Sequence, residues 1–153
     1  VRRLPPWFEN TGKRLVKAPK IYVRDSGIAH ALLGLGHKEQ LLGHPVAGPS
    51  WESFVIETLL VQAPRGTEAH FYRTSAGAEI DLVLTLPGGR LWAVEIKRSS
   101  APKLERGFHF ASADLGPARS FVVYPGTERF PLDAKTEVLG LAEFGKLLQA
   151  SSA

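Results

Sequence analysis

Four residues combine type and spacing in a way that can do chemistry: Glu52, Asp81, Glu95 and Lys97. Asp81 interrupts the apolar run Glu79-Ile80-Asp81-Leu82-Val83-Leu84-Thr85-Leu86, and Glu95 and Lys97 end the run Leu91-Trp92-Ala93-Val94-Glu95-Ile96-Lys97. Aspartate is depleted in strands, and charged groups are seldom buried without a partner. Alternation puts Ile80, Leu82, Leu84 and Leu86 on one face of the first strand, and Glu79, Asp81, Val83 and Thr85 on the other. In the second strand Trp92, Val94 and Ile96 oppose Ala93, Glu95 and Lys97, with Glu95 and Lys97 roughly 7 Å apart along the chain. The turn Pro87-Gly88-Gly89 pairs the two strands as a hairpin and brings Asp81 close to Glu95.

Two carboxylates so placed repel each other unless one keeps its proton or a cation lies between them. A hard divalent ion, Mg²⁺ or Mn²⁺, suits an all-oxygen donor set of this kind. Lys97 beside the pair can orient or deprotonate a water, or neutralise charge on a pentavalent phosphorus transition state. A helix from Trp51 to about Gln62, capped by Ser50, supplies the third carboxylate. At 100° per residue Glu52 falls within the apolar arc of Val55, Ile56, Leu59 and Leu60, whereas Glu57 falls nearer Ser53 and is expected to be solvated. The bland alternative is a surface ion pair between Glu95 and Lys97 on an edge strand, because an E-x-K tripeptide is common.

The elements that must position these residues follow in quick order. Strands are expected near 69–74, 79–86 and 90–97, a helix over 103–115, a strand over 119–124, a short strand near 136–139 and a last helix near 141–149. This order predicts an α/β fold, a mixed sheet flanked by helices. Ahead of it, residues 1–24 read as a basic hairpin carrying Lys13, Arg14, Lys17 and Lys20, with a turn over Glu9-Asn10-Thr11-Gly12. A short capped helix, Gly27 to Leu33, follows, and residues 34–49 read as loop with one helical turn.

Composition bounds the function classes. With 153 residues and 44% hydrophobic content the chain can build one full-sized domain. Its net charge of +4 suits a phosphate-bearing partner without requiring one. The absence of cysteine excludes disulfide scaffolds, zinc-cysteine sites and cysteine nucleophiles. No run approaches the length of a membrane helix and no signal peptide opens the chain, so a cytoplasmic protein with no membrane partner is expected. The chain starts at Val1 and contains no methionine, which points to a fragment whose partner domain lies upstream.

The acidic constellation resembles the PD-(D/E)xK nuclease superfamily, through Glu52 in Trp51-Glu52-Ser53-Phe54-Val55, Asp81 in Glu79-Ile80-Asp81-Leu82 and Glu95-Ile96-Lys97. Ile80 stands where that motif has its proline. The chain more closely resembles DUF4143, the C-terminal domain of prokaryotic AAA+-type ATPases. That likeness rests on Lys13-Arg14-Leu15-Val16-Lys17-Ala18-Pro19-Lys20-Ile21-Tyr22, on Arg24-Asp25-Ser26-Gly27 and on Tyr72-Arg73-Thr74, and it spans nearly the whole chain.

The resemblance implies a restriction-endonuclease-like core over residues 46–150, with residues 1–45 the remnant of an upstream winged-helix-like element. It implies a Mg²⁺ (or Mn²⁺) site of Glu52, Asp81 and Glu95, assisted by Lys97, that hydrolyses DNA. It also implies an upstream ATPase module and allows a homodimer; no phosphate-binding Gly-x-x-x-x-Gly-Lys-Ser/Thr loop occurs here, so no ATP site is expected in this chain. Arg73 could bind a phosphate, or pair with Glu79 or Glu52. Ser99 could contact a phosphate, or simply lead into the helix. The alternative function is a non-catalytic DNA- or protein-interaction module serving the ATPase.

Overall fold

The architecture is that of a computed structural model, described for residues 1–8, 12 and 14–152. Glu9, Asn10, Thr11 and Lys13 of the expected hairpin turn lie outside the described residues. The elements run β1 (Arg2–Leu4), β2 (Lys20–Tyr22), α1 (Ser26–Leu32), α2 (Lys38–Leu42), α3 (Ala47–Gln62), β3 (Glu68–Arg73), β4 (Glu79–Thr85) and β5 (Leu91–Ile96). They continue with α4 (Arg106–Leu115), β6 (Arg119–Tyr124), β7 (Phe130–Pro131), β8 (Thr136–Gly140) and α5 (Leu141–Ala150).

Six strands form one mixed sheet in the order β3-β4-β5-β6-β8-β7. The β3-β4-β5 meander is antiparallel, β5, β6 and β8 are mutually parallel, and β7 closes the edge antiparallel to β8. The parallel steps need crossovers, and α4 supplies the one between β5 and β6. The expected α/β class and mixed sheet are therefore present. Among the described residues no helix is long and apolar enough to cross a membrane.

One face of the sheet carries Leu82, Leu84, Trp92, Val94, Phe121 and Val123, and packs with Val55, Ile56 and Leu59 of α3 and with Phe144 and Leu148 of α5. Phe121 lies at the centre of its aromatic cluster, with ring centroids 5.0 Å from Trp92 and 4.8 Å from Phe144. The opposite face carries Tyr72, Val83 and Ala93 under Phe108, Ala111 and Leu115 of α4. The N-terminal pair β1-β2 is antiparallel, and its Leu4 and Tyr22 are buried in the same core as α3.

Four expectations need correction. Helix α3 starts at Ala47, so Ser50 is not its cap; Pro49 stands in the first turn, where a missing N–H has no partner to lose. Helix α4 starts at Arg106 rather than 103. Ile80 does not share a face with Leu82: it is buried with Tyr72 and Val83 in the opposite core. A register shift between His70 and Tyr72 marks an irregularity in the β3–β4 ladder, and such a bulge breaks strict alternation on the strands it joins. Glu57 is not solvated. Its carboxylate pairs with Arg2 and Arg24 and its side chain is only 13% exposed, because the N-terminal segment lies over α3.

Candidate metal centre

The site lies in a cleft of about 430 Å³ at the open end of the β4–β5 hairpin. Its walls include Glu52, Glu79, Asp81, Glu95, Lys97 and Glu105. The pairing of Leu82 with Val94 sets Asp81 beside Glu95 at the end of the ladder. Asp81 Oδ2 accepts a hydrogen bond from the Ile96 N–H at 2.9 Å. Helix α3 is fastened to the same strand end, where the Trp51 indole N–H donates to the Lys97 carbonyl at 3.0 Å. That bond fixes the height of α3 and, one residue on, brings Glu52 to the cleft.

Glu95 is 8% exposed, and its Oε2 is buried with no hydrogen-bond partner. Its other oxygen lies 3.0 Å from the Lys97 ammonium, which also reaches Glu105 at 3.5 Å. A lone buried carboxylate oxygen is costly, and it is the sort of atom a cation would satisfy.

The electrostatics agree with the geometry. Burial, together with the neighbouring Glu95 and Glu52 carboxylates, pushes the Asp81 carboxyl up to about 8. Burial also raises Glu95, against the pull of Lys97. Burial works to lower the Lys97 ammonium, but Glu95 holds it above the ordinary lysine range. Two buried carboxyls raised side by side are a pair whose charged forms nearby positive charge would favour.

The structure brings Glu52, Asp81, Glu95 and Lys97 to one cleft, as the spacing predicts. It does not bring Ser99 there: that residue is exposed and its hydroxyl accepts from the Ala101 N–H at 3.1 Å. Arg73 is engaged in an ion pair with Glu79 and lies over the Phe71 ring, so the ion-pair alternative is the one present.

Three participants were not singled out from the sequence. Glu79 adds a fourth carboxylate. Lys20 and Tyr22, from β2, reach in from the N-terminal segment. The Lys20 ammonium lies 3.0 Å from Glu52 Oε1, 3.3 Å from Glu79 Oε1 and 3.8 Å from Asp81 Oδ1. The Tyr22 hydroxyl donates to Glu52 Oε1 at 2.5 Å, and burial beside these carboxylates pushes its phenol far up. Alternation over Lys20-Ile21-Tyr22 puts the two side chains on one face, a signal readable in the sequence. Among the described residues no three His, Asp or Glu side chains form a preassembled metal-holding group. The Lys20 ammonium sits among three of the cleft's carboxylates.

A mixed α/β sheet with an acidic, lysine-bearing cleft at a hairpin end defines the class of domain. A family model described as a domain of unknown function, DUF4143, matches residues 47–144, and this chain belongs to that family. A second model, DUF8612, also a domain of unknown function, matches residues 1–39. Two curated relatives are the uncharacterized proteins Mb2031c of Mycobacterium bovis and Rv2008c of Mycobacterium tuberculosis. Each is 47% identical over 133 residues, covering 86% of this chain and 30% of its own length. The chain thus spans about 30% of the length of the curated relatives it matches. No solved structure matches it.

Proposed function

We propose that this domain is a metal-dependent phosphodiester hydrolase of the PD-(D/E)xK kind, acting on DNA. The observation that carries the reading is the meeting of Asp81 and Glu95, with Glu95 Oε2 buried and unpartnered, beside Lys97. The donor set fits Mg²⁺ or Mn²⁺: oxygen ligands, two of them buried carboxyls whose titration is raised by burial. Asp81 and Glu95 would hold the ion, with Glu52 as a further ligand or a partner to its water. When bound, the ion would supply positive charge to polarise a phosphate.

The chain's own residues divide the remaining work. Lys97, tied by Glu95, presents an ammonium to the cleft, where it can stabilise developing negative charge or orient a water. The Ile96 N–H fixes the Asp81 carboxyl, and the Trp51 indole fixes the strand end that carries Lys97. Arg98, exposed at the rim, offers a contact to the nucleic-acid backbone. The reading includes a place beside an ATPase module in a longer chain, consistent with the greater length of the relatives.

The test is cleavage of single-stranded, double-stranded and branched DNA in Mg²⁺ or Mn²⁺, comparing wild type with Asp81→Ala and Lys97→Ala. Metal-dependent cleavage lost in both variants is expected. Absence of cleavage on every substrate, with the full-length protein as well, would transfer the site to the second reading, a non-catalytic interaction module. Lys20 among the carboxylates favours that second reading to the extent that it stays there.

A further inference from the structure

Lys20 comes from the segment matched by one family model and is seated among carboxylates of the segment matched by another. We infer that the Lys20 ammonium is the resident cation of this cleft, and that a divalent ion enters by exchanging with it. The inference rests on the metal-site reading above and adds a regulatory consequence: whatever holds the N-terminal strand in place sets the site's affinity for metal.

The geometry carries the argument. The Lys20 side chain is only 16% exposed and its ammonium is within ion-pairing distance of three carboxylates from two elements, Glu52 of α3 and Glu79 and Asp81 of β4. An ion held by Asp81, with Glu52 as a further ligand, would compete with that ammonium for the same carboxylates, since like charges so near repel each other. The unpartnered Oε2 belongs to Glu95, the one carboxylate of the four that pairs with Lys97 rather than Lys20. The positive charge is therefore divided: Lys20 covers Glu52, Glu79 and Asp81, while Glu95 pairs with Lys97 through one oxygen and keeps the other unpartnered.

Lys20 can leave without unfolding its strand. A lysine stem is long and flexible, and β2 is held independently by pairing with β1, by buried Tyr22 and by the Ser53 hydroxyl donating to the Val23 carbonyl. Linkage then makes the coupling reciprocal: tighter docking of Lys20 weakens metal binding, and metal binding frees Lys20.

The test uses Mn²⁺ alone as probe. Calorimetry compares wild type with Lys20→Met and Asp81→Asn, and an amine-acylating reagent with mass spectrometry reads the accessibility of each lysine. Lys20→Met should bind Mn²⁺ roughly tenfold or more tightly than wild type. In the wild-type protein Mn²⁺ should speed acylation of Lys20 several-fold and leave the exposed Lys146 unchanged. If Lys20→Met does not fold, the wild-type acylation experiment decides alone. Mn²⁺ binding that is weakened by Asp81→Asn but leaves Lys20 reactivity unmoved overturns the exchange and leaves the metal site standing. No Mn²⁺ binding by any form overturns both.

Discussion

Replacing Asp81 with asparagine tests the electrostatic reading of the cleft without any assumption about activity. Asparagine is close in shape to the protonated carboxyl and keeps an oxygen for the Ile96 N–H. Metal-free, folded Asp81 holds its proton up to about 8, whereas an unfolded aspartate gives it up near pH 4. The folded state therefore binds more protons across that window. Its stability is full at low pH and falls as pH rises toward 8, then levels once both states are ionised. Between pH 6 and pH 8 wild type should lose about 2 kcal/mol relative to Asp81→Asn. Urea unfolding in chelator at several pH values reads this as a diverging pair of stability curves. Saturating Mg²⁺ should flatten the wild-type slope, since the ion replaces the proton. Parallel curves for the two proteins would refute the account of Asp81 as a buried carboxyl that keeps its proton up to about 8.

Other perturbations probe the scaffold. Glu57→Ala should cost about 1–2 kcal/mol at neutral pH by stranding Arg2 and Arg24. Arg2 and then Arg24 hold the Glu57 carboxyl below its usual range, so this contribution disappears as pH falls through the folded value, and urea curves of the two proteins should converge in acid. Gly107→Ala should destabilise the fold by roughly 1–3 kcal/mol and shift the mouth of the cleft, because an added Cβ would meet the Gly77 carbonyl oxygen at 2.6 Å. Thermal unfolding with Mn²⁺ titration separates the two effects, and an unchanged melting temperature would mean that α4 yields freely. Phe121→Ala should cost about 3–5 kcal/mol by opening a cavity between Trp92 and Phe144, and an effect below about 1 kcal/mol in urea unfolding would show that the centre of this core collapses around the loss.

Much of the candidate site was legible because its residues break local rules. An aspartate amid Ile80 and Leu82, a glutamate after Val94, and Glu52 in an apolar helical arc each conflict with their surroundings, and period 2 and period 3.6 suffice to show it. The order of elements likewise determined the α/β class, since strands and helices alternate at lengths that allow few arrangements. Tertiary structure decided what local periodicity cannot reach. Ile80 changed faces because of a ladder irregularity that depends on β3 as much as on β4. Glu57 acquired two arginines from segments more than thirty residues away in sequence, and Lys20 entered the acidic cleft from a similar distance. The sequence by itself determined that Asp81, Glu95 and Glu52 are carboxylates set in apolar surroundings, which calls for a retained proton or a neighbouring cation. Only the fold decided that Lys20 lies among them, because charges far apart in the chain meet through packing that no local pattern encodes.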